Sequence, residues 1–496
     1  MSTSFSSYNA RTGEVLSTLS ASTAADIDAA AKAAAAAFPL WQASSGAQRA
    51  TLLRALAAGL ETGRESLVTI ADQETALGPV RLNGELDRTA FQLRRFADIA
   101  ERGVPFDYVD DPVVAGAPPA GHPAMQRWSV PVGPVAMYAA SNFPFAFSVL
   151  GGDTAAALAA GCSVVIKGHP GHPQLTRKTW DMIQQVLAAQ QLPAGLVGLV
   201  QGAGNEVGVA LVRHPAIAAA AFTGSTRGGA ALAAEAAARP RPIPFYGELG
   251  SINPVIALPA ELKARGAELA ATLAGSITLG CGQFCTNPGV IVLLDTDADA
   301  QTSNDAFVQQ LGQALAGQNP HAMLTQGMRS NFDRGIAHWG EAGASFVVHE
   351  VAPAGQPPRP VLAQVGADAF IAKAALREEV FGPSSLVVRA ASVAQALQVL
   401  QAVGGSLTVT VWGAQTDGAD VQALVRGAMA IAGRVLFAGV PTGVAVTAAQ
   451  QHGGPWPSST RPESTSVGDA ALARFLRPVS LQDAPAWLTA RQGRPL

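Results

Sequence analysis

The sequence predicts an α/β protein with two domains, each built on a parallel sheet, and a small additional arm. Short apolar runs first alternate with helical segments in VGPVAMYAA, CSVVIKGH, GLVGLVQG and IAAAAFTG. A second series follows in NPVIALP, GVIVLLDTD, PSSLVVRA, SLTVTVWG and GRVLFAG. Strands that alternate with helices form parallel sheets with helices on both faces. The arm is predicted from PFDYVDDPVVAGAPPAGHPAMQRW, whose prolines and glycines are typical of an extended hairpin.

The chain before the first series is predicted to be helical. Thr23 and Asp26 have capping-box spacing ahead of an alanine-rich helix that runs toward Phe38. Helical patterns follow in ATLLRALAAGLETG and ELDRTAFQLRRFADIAERG, and FLRPVSLQ near the end is predicted as a late strand.

We place the boundary between the two domains near residues 244–250. The first domain is assigned residues 1–103 and 131–246, and the second is assigned residues 247–445. The arm is assigned residues 104–130, and the tail strand is assigned residues 470–496. A cleft between two such domains is a favoured place for a ligand.

Composition narrows the possible partners. Of the 496 residues, 48% are hydrophobic and 14% are charged, and the formal net charge is -3. This supplies a large buried core and gives no reason to expect a nucleic-acid or membrane partner. Three cysteines are too few for a disulfide framework. The start, MSTSFSSYNARTGEVL, shows no secretory signal, and we expect a cytoplasmic protein.

Two of the cysteines lie four residues apart in GCGQFCTNPG. Metal binding by Cys281 and Cys285 would require further soft ligands, and no histidine or second cysteine pair follows at ligand spacing, so we expect no metal. A disulfide between them is not expected in a reducing compartment. Buried structural thiols and a catalytic thiolate both remain open. Gly282 and the Pro288-Gly289 turn suit a nucleophile beside a small pocket.

Further polar groups lie at predicted strand ends. Glu248, in FYGELGSINP, is either a turn residue or a general base whose pKa an apolar cleft raises. In AFTGSTRGG, Gly224 and Ser225 lie where a strand gives way to a helix, and Gly204 occupies a second such turn. Glycines and helix N-terminal amides of this kind bind a pyrophosphate, although the GxGxxG fingerprint is absent.

Two more residues have both a structural and a functional interpretation. Asn142, in YAASNFPFAF, is either a helix cap or an amide donor to a developing oxyanion. Lys167 closes the strand CSVVIK and is either solvated or faces the ligand crevice of an open sheet.

Together, the ordered strings SNFP, SVVIK, FTGS, ELGSINP, GQFCT and EEVFGP resemble the aldehyde dehydrogenase superfamily motif by motif. The resemblance runs from about Tyr8 to about Gln482. It implies an aldehyde-dehydrogenase-like fold with two Rossmann-like domains, the first dinucleotide-binding and the second catalytic. It also implies that the arm and tail strand serve oligomerisation, as a homodimer or homotetramer. The short N-terminus is expected to lack the opening strands of some relatives.

The resemblance implies a role for each matching residue. Cys285 would attack the aldehyde carbonyl, and its backbone N–H and Asn142 would stabilise the oxyanion. After hydride transfer, Glu248 would activate the water that hydrolyses the thioester, and Cys281 would be a bystander. The implied cofactor contacts are Lys167 at the adenosine ribose, Ser225 at the pyrophosphate, Glu379 at the nicotinamide ribose, Phe381 at the nicotinamide end, and Ala140, Ser141, His169, Gly204 and Gly224 elsewhere in the cleft.

Longer strings point to a branch of the superfamily. ASNFPFAFSVLGGDTAAALAAGCSVVIKGHPGHP, PIPFYGELGSINPV and GCGQFCTNPGV resemble the 2,5-dioxovalerate (α-ketoglutarate semialdehyde) dehydrogenases and the NADP-dependent fatty aldehyde dehydrogenases. Many superfamily members carry an acid three residues after the adenosine-side lysine, where this chain has Pro170. A 2′-phosphate is then not repelled, so NADP is the expected cofactor and NAD the alternative. His169 and His172 either contact this phosphate or are solvated.

The expected reaction is oxidation of α-ketoglutarate semialdehyde to 2-oxoglutarate. The substrate carboxylate calls for a cation, for which Arg461 and Arg127 are candidates. The alternative is a medium- or long-chain aldehyde in an apolar pocket. Its lining would be Phe145, Phe147, Leu150 and Pro441. Ala438 and Ala445 stand near the substrate mouth, where branch relatives usually show asparagine and glutamate.

Two other functions fit these residues less well than aldehyde oxidation. A CoA-acylating enzyme would transfer the acyl group to CoA rather than to water, and the presence of Glu248 argues against it. A non-catalytic protein on the same scaffold would have little reason to keep Cys285, Glu248, Asn142, Lys167 and Glu379 together.

Overall fold

A computed structural model describes residues 4–102, 108–353 and 355–489. Residues 104–107 of the predicted arm and 490–496 of the predicted tail lie outside the described residues, as do residues 1–3, 103 and 354 of the two assigned domains. Within the described ranges, each helix is too short or too polar to cross a membrane.

The described residues form fifteen α-helices, seventeen strands and four short 3₁₀ segments. The helices are α1 (Ala24–Gln42), α2 (Gly46–Thr62), α3 (Arg64–Thr75), α4 (Pro79–Arg102), α5 (Gly152–Ala160), α6 (Pro173–Ala189), α7 (Asn205–Arg213), α8 (Thr226–Ala237), α9 (Pro259–Thr278), α10 (Ala298–Ala316), α11 (Gln326–Glu341), α12 (Ala367–Ala372), α13 (Val393–Val403), α14 (Ala419–Ile431) and α15 (Ala486–Thr489). The 3₁₀ segments are Ala194–Leu196, Leu279–Gly282, Ala374–Arg377 and Asp469–Phe475.

The chain opens with a two-stranded antiparallel sheet of β1 (Ser4–Tyr8) and β2 (Val15–Ser20). The expectation that opening strands are missing is therefore wrong. Only Phe5 and Ser7 of β1 are buried, and Ser7 is held by a hydrogen bond from its hydroxyl to Glu74 on α3. An alternation with one apolar and one polar buried residue is too weak to indicate a strand.

Four helices follow, of which three were predicted and α3 is additional. The capping box at α1 is confirmed, because Asp26 N donates to Thr23 Oγ1 and Thr23 N donates to Asp26 Oδ2. α1 continues beyond Phe38 to Gln42. The helices predicted from ATLLRALAAGLETG and ELDRTAFQLRRFADIAERG are confirmed as α2 and α4.

The first large sheet has five parallel strands in the order β7-β6-β5-β8-β9. Its strands are β5 (Val135–Tyr138), β6 (Val164–Lys167), β7 (Val197–Val200), β8 (Ala219–Thr223) and β9 (Phe245–Glu248). The four predicted strands of this series are confirmed, and β9 is the strand that was expected to end at Glu248. Two apolar clusters cover its faces, since Val135 and Met137 pack on one cluster and Ala136 and Tyr138 on the other.

The second large sheet has seven strands in the order β12-β13-β14-β11-β10-β15-β16. Its strands are β10 (Val255–Ala257), β11 (Val290–Leu294), β12 (Ser345–His349), β13 (Val361–Gly366), β14 (Ser384–Ala390), β15 (Ser406–Trp412) and β16 (Ala432–Leu436). All neighbouring pairs are parallel except β12 with β13. The five strands predicted from the second series are confirmed, and β12 and β13 are additional.

A third sheet joins the arm to the tail. It is antiparallel, in the order β17-β4-β3, and consists of β3 (Val109–Asp111), β4 (Met125–Pro131) and β17 (Leu476–Gln482). The predicted late strand FLRPVSLQ is β17, and it pairs with the arm of the same chain. The oligomerisation role assigned to both segments stays a prediction.

β9 ends at Glu248 and β10 begins at Val255, so the change from the first sheet to the second follows the predicted boundary at residues 244–250. The domain limits themselves stay predictions. The carboxyl ends of the first sheet's strands face the second sheet across this junction, which is where an open parallel sheet binds ligands.

Candidate active site

A cavity of about 860 Å³ lies at this junction and is lined by residues from both sides of it. That volume is in the range of ligand-binding pockets. The catalytic and cofactor residues that the resemblance implies all line it: Ala140, Ser141, Asn142, Lys167, His169, Gly204, Gly224, Ser225, Glu248, Cys285, Glu379 and Phe381. The structure therefore brings the predicted residues together, and the role of each stays a prediction.

The turn before Cys285 has an unusual backbone. Gly280, Cys281 and Gly282 have φ values of 57°, 59° and 65°, which lie in the left-handed region that side chains disfavour. A Cβ at Gly282 would collide with the backbone of Gly382, so this position requires glycine. Cys281 is fully buried in the core of the second sheet, and burial raises its pKa to about 12. Cys281 thus packs as a neutral thiol, while Cys285 faces the cavity.

Asn253 stabilises the loop that carries Cys285 through hydrogen bonds to its backbone. Its Nδ2 donates to the carbonyl oxygens of Cys285 at 2.8 Å and Asn287 at 2.9 Å. Its Oδ1 accepts from the Ser251 hydroxyl at 2.7 Å and from the Thr408 hydroxyl at 3.2 Å. Asn253 is fully buried, with φ 52°. The sequence reasoning quoted its motif and assigned it no role, because these partners lie on three separate segments.

Cys285 shares its side of the cavity with two buried ionisable groups. Nε2 of His452 lies 2.9 Å from Glu248 Oε1 and 3.6 Å from Cys285 Sγ. The three groups lie within 4.8 Å of one another, and the Ser466 hydroxyl donates to Glu248 Oε2. The sequence reasoning missed His452 and Ser466, for which a histidine beside two glycines in QQHGGPW was the one local signal. Cysteine, histidine and glutamate are also zinc ligands, so the absence of a metal stays a prediction.

The pKa values of the two acids in this group are shifted in opposite directions. Burial alone would raise the pKa of Glu248, but the contacts of His452, Ser466 and Cys285 outweigh it, and the pKa is lowered. Burial raises the pKa of Cys285 well above its usual range, and the charges of Glu248 and Glu379 add to this. Arg88 opposes that rise. At neutral pH the resting site therefore holds a carboxylate at Glu248 and a thiol at Cys285.

Asn142 is not a helix cap, because it lies in a turn and the next helix, α5, begins at Gly152. Its Nδ2 donates to the carbonyl oxygen of Gln283 at 3.0 Å. An amide nitrogen carries two protons, so the second is left for a ligand in the cavity. Arg81 Nη2 donates to the Asn142 backbone carbonyl at 2.6 Å and fixes this turn.

Lys167 and His169 lie at the adenosine end of the predicted cleft. Lys167 ends β6, its Nζ donates to the Gly202 carbonyl at 2.8 Å, and burial lowers its pKa to about 8. His169 Nδ1 accepts from the Gly171 N–H at 3.0 Å, which leaves Nε2 to carry the ring proton. Burial, with the charges of His172 and Lys167, lowers the pKa of His169 well below its usual range. It is therefore a neutral donor.

His172 is corrected by the structure. It is neither solvated nor in the cavity, because it is 1% exposed and its Nε2 lies 2.9 Å from the Ala140 carbonyl oxygen. Its Nδ1 lies 3.3 Å from the Thr176 hydroxyl. His172 thus supports the turn at Ala140 and does not contact a phosphate.

Two helix N-termini open on the cavity between these ends. Gly204 precedes α7, and Gly224 and Ser225 precede α8, where Ser225 Oγ caps the helix by accepting from Gly228 N at 3.2 Å. Arg227 in the first turn of α8 also lines the cavity, and sequence reasoning missed it. Helix N-termini of this kind attract phosphate groups.

Glu379 and Phe381 close the cavity from the second domain. Glu379 is open to the cavity and enclosed by protein on its other sides, and this enclosure raises its pKa to about 7. Its Oε1 accepts from Ser251 N at 3.3 Å. A carboxylate at one end, two helix N-termini in the middle and a lysine with a neutral histidine at the other end fit a nicotinamide dinucleotide.

The cations predicted for the substrate do not lie at the nucleophile. The Arg461 side chain is 47% exposed and lies 3.9 Å from Glu463, and Arg127 is exposed on β4 in the third sheet. Of the predicted apolar lining, Phe147 packs beside His452 with ring centroids 6.4 Å apart. Phe145 and Leu150 belong to the core under α4 and α5. Pro441 is buried, and Ala438 and Ala445 are exposed in the segment after β16.

Comparison with known proteins places this geometry in context. The sequence model of the aldehyde dehydrogenase family matches residues 1–460. The chain is 42% identical to α-ketoglutaric semialdehyde dehydrogenase 2 of Azospirillum brasilense, over 93% of this chain and 87% of that protein. It is 39% identical to α-ketoglutaric semialdehyde dehydrogenase of Acinetobacter baylyi, over 95% and 89%. Among solved structures, PnpE of Pseudomonas sp. WBC-3 with nicotinamide adenine dinucleotide has TM-score 0.81 at 24% identity, covering 97% of this chain and 95% of that chain.

Proposed function

The chain belongs to the aldehyde dehydrogenase family, and we propose that within this family it oxidises α-ketoglutarate semialdehyde to 2-oxoglutarate with NADP. It is an aldehyde-oxidising oxidoreductase with an NAD(P) cofactor. The observation that carries the mechanism is the meeting of Cys285, Glu248 and His452 at one side of the cavity. The substrate is supported by the two relatives of that activity, each similar over nearly the whole chain.

The first step is attack by Cys285 on the aldehyde carbon. The thiol has a raised pKa, so it needs a base as it attacks. Nε2 of His452 lies between Sγ and Glu248, and the thiol proton passes to this coupled histidine–glutamate pair. As the S–C bond forms, the carbonyl π electrons move to oxygen and create an oxyanion.

The oxyanion is stabilised by donors that are already in place. The free N–H of the Asn142 amide is directed by its partner N–H, which is bound to Gln283. The backbone N–H of Cys285 would be the second donor, held by the Asn253 contacts to the same loop. One such donor contributes on the order of 3 kcal/mol to transition-state stabilisation. When bound, the nicotinamide supplies the hydride acceptor for the oxidation.

The last step is hydrolysis of the thioester on Cys285. Once the proton gained from the thiol has left the pair for solvent, Glu248 is the base that takes a proton from water, because its carboxylate is ionised at neutral pH and lies within 4.8 Å of Sγ. Contacts with His452 and Ser466 fix both carboxylate oxygens. Water attacks the acyl carbon, the C–S bond breaks, and the leaving thiolate regains a proton from the histidine–glutamate pair. A base in this position also argues against transfer to CoA.

The proposal of NADP rather than NAD depends on the adenosine end. Lys167 would meet the ribose, the α7 and α8 N-termini with Ser225 would meet the pyrophosphate, and Glu379 would meet the nicotinamide ribose. Pro170 leaves no acid to repel a 2′-phosphate, and the Nε2 proton of His169 is a donor for it. A neutral donor adds less affinity than a cation, so NAD remains the alternative.

A second candidate substrate is favoured by one observation. Ala140, Ala146, Phe147 and Val467 form a small apolar cluster, with Phe143, Val444 and Val446 packed on it, beside the nucleophile. Such a wall accepts the chain of a medium- or long-chain aldehyde. We rank this second, because half-buried arginines border the same cluster.

We also propose a homo-oligomer, a dimer or tetramer, in which the third sheet joins subunits. β3 and β17 are the two edges of this sheet, and an exposed edge is a natural place for pairing with another chain. The cytoplasmic location stays a prediction.

The test is reduction of NADP and of NAD with α-ketoglutarate semialdehyde and with a long-chain aldehyde. Cys285→Ala should remove turnover, whereas Cys281→Ala, in the same turn, should retain it because Cys281 only packs. Preference for the long-chain aldehyde would replace the proposed substrate. Persistent turnover by Cys285→Ala would overturn the mechanism.

A further inference from the structure

Two arginines that sequence reasoning did not select lie half-buried on the substrate side of Cys285. They are Arg88 on α4 and Arg434 on β16. Among the described residues, Nε and Nη2 of Arg88 and Nε of Arg434 are shielded from solvent and have no hydrogen-bond partner. A buried cationic donor without a partner is costly, and three on neighbouring side chains indicate a group that the bare protein lacks.

The contacts that Arg88 does make leave one particular edge of its guanidinium free. Nη1 donates to the carbonyl oxygen of Val444. The unpaired Nε and Nη2 form the side edge of the guanidinium, where two N–H bonds point in parallel. This is the edge that binds a carboxylate through two hydrogen bonds.

Arg434 binds the same backbone segment that Arg88 contacts at Val444. Its Nη2 donates to the Pro441 carbonyl at 2.6 Å and its Nη1 to the Gly443 carbonyl at 3.1 Å, one residue from the Val444 carbonyl that Arg88 holds. Nε is left over. Arg434 therefore supplies charge and one donor, and Arg88 supplies the paired donors.

Both guanidinium groups lie close enough to Cys285 for their charges to act on it, and Arg88 also acts on Glu248. A series of side-chain contacts connects Arg88 to Cys285. The Arg88 guanidinium lies 5.9 Å from the centre of the Phe147 ring, Phe147 packs against His452, and His452 lies 3.6 Å from Cys285 Sγ. Arg88 thus lies on the far side of Phe147 from the nucleophile.

The charge of Arg88 is only partly compensated within the protein. The acid that faces it is Glu85, one helical turn away on α4, whose Oε1 already accepts the N–H groups of Phe145 and Ala146. Glu85 Oε2 lies 3.9 Å from Arg81, which it also serves. One carboxylate shared between two arginines leaves positive charge for an anionic ligand.

We propose that Arg88 and Arg434 bind the distal carboxylate of the aldehyde substrate, and this rests on the proposed function. The aldehyde carbon and the carboxylate carbon of α-ketoglutarate semialdehyde are four bonds apart, about 5 Å at ordinary bond lengths. The substrate would lie along Phe147, with its aldehyde at Cys285 and its carboxylate on the Nε–Nη2 edge of Arg88. An alkyl aldehyde would leave these donors unpaired, which makes the pair specificity-determining.

The experiment compares two aldehydes in four variants. Arg88→Met keeps the volume and removes the charge, Arg88→Lys keeps the charge and loses the paired donors, and Arg434→Met removes the second cation. Arg94→Met is the control, because Arg94 is an exposed residue of the same helix that pairs with Glu61. Initial rates are measured with α-ketoglutarate semialdehyde and with hexanal, and inhibition of hexanal oxidation by glutarate is measured in parallel.

Arg88→Met should raise KM for the semialdehyde about 10- to 100-fold, as expected for loss of a charged hydrogen-bonded pair, and leave KM for hexanal within about twofold. Because the Arg88 charge also acts on Cys285 and Glu248, any change in kcat should be shared by the two aldehydes. Arg88→Lys should recover part of the loss, Arg434→Met should give a smaller loss, and Arg94→Met should give none. Glutarate should inhibit the wild type and lose potency in Arg88→Met. Equal rises in KM for both aldehydes, or no rise for either, would overturn the proposal.

The glutarate arm separates this proposal from the proposed function. The wild type could prefer hexanal and still be inhibited by glutarate only while Arg88 is present. That result would support the carboxylate site and contradict the proposed substrate. Should Arg88→Met fail to fold in a thermal melt, Arg88→Gln keeps a donor for Val444 and carries the test. The same selective loss would then support the site, and an unselective one would refute it.

Discussion

The two walls of the cavity are built differently. The cofactor wall, defined as Lys167, His169, Gly204, Gly224, Ser225 and Glu379, consists mainly of strand ends and helix N-termini that are open to the cavity. The catalytic wall, defined as Asn142, Glu248 and Cys285 of the lining together with the buried His452 and Ser466 that contact Glu248, brings distant segments together and includes two carboxylate contacts that are fully enclosed. His452 and Ser466 come from residues 437–468, which form neither helix nor strand.

The difference teaches where this protein places its reactive groups. On the cofactor wall, polar groups present donors that a ligand can complete. On the catalytic wall, burial and close contacts together separate the pKa values of two acids. The pKa of Glu248 is lowered and that of Cys285 is raised. Separation of this kind is how a site holds a base and a protonated nucleophile side by side at one pH. Each prediction below perturbs one wall and asks whether the other is spared.

The largest effect is expected from Glu248→Gln, which keeps the shape of the catalytic wall and removes its base. Steady-state turnover should fall about 10²- to 10⁴-fold, since thioester hydrolysis loses general-base catalysis. The first turnover should survive as a burst of reduced nicotinamide, with the acyl group visible on Cys285 by intact-protein mass. Glu74→Gln is the control, because Glu74 is also buried and accepts backbone N–H groups but does not line the cavity. Loss of the burst would mean that His452 cannot take the thiol proton without Glu248.

The same contrast explains what the sequence could predict. Lys167, Ser225 and Glu248 follow regular strands, and the alternation of apolar runs with helices indicates where such strands end. The order of the strands within each sheet and the opening hairpin could not be predicted, because a run of five residues does not specify its partner.

The rest of the catalytic wall depends on contacts between distant segments. His452 reaches Cys285 across 167 positions and Ser466 reaches Glu248 across 218, from a segment that has no period to interpret. Arg88 lies on a correctly predicted helix, and its orientation toward the nucleophile depends on how α4 packs. The resemblance to a family supplied the residues that share a motif, and tertiary packing alone supplied the others.

The next effect is expected from Asn253→Ala, which removes the support of the nucleophile loop without touching the cofactor wall. Misplacement of the nucleophile by about 1 Å costs on the order of 10²-fold in rate, and we expect kcat to fall by that amount. Asn304→Ala is the matched control, since Asn304 is equally buried in the second domain and bonds Leu294 and Asp295. Both variants should lose about 1–3 kcal/mol of unfolding free energy in urea melts. A kcat loss shared by both would reduce Asn253 to a stabilising role.

A smaller effect, largest at acidic pH, is expected from His452→Gln, because Glu248 remains to take the thiol proton. His452 is among the groups that hold the pKa of Glu248 down, and burial, which raises it, would remain. The carboxylate would then gain its proton at a higher pH, so the acidic limb of kcat/KM for hexanal should move to higher pH. Activity on that limb should fall about tenfold for each unit of the shift. Ser466→Ala removes one hydrogen bond and should move the limb less, in the same direction. A limb that stays in place would show that another group controls it.

The smallest effect is expected on the cofactor wall, from Glu379→Gln. Burial raises the pKa of Glu379 to about 7, so it ionises near neutral pH in the free protein. Ribose hydroxyls donate more strongly to a carboxylate than to a protonated carboxyl, so NADP affinity should rise a few-fold as pH increases through about 7. Glu379→Gln should remove this pH dependence and leave the burst of the first turnover intact, because the catalytic wall is unchanged. Fluorescence titration with NADP across this pH range measures both. A wild-type affinity that does not change with pH would mean that Glu379 does not meet the ribose, and would leave dinucleotide binding to the strand ends and helix N-termini of the first sheet.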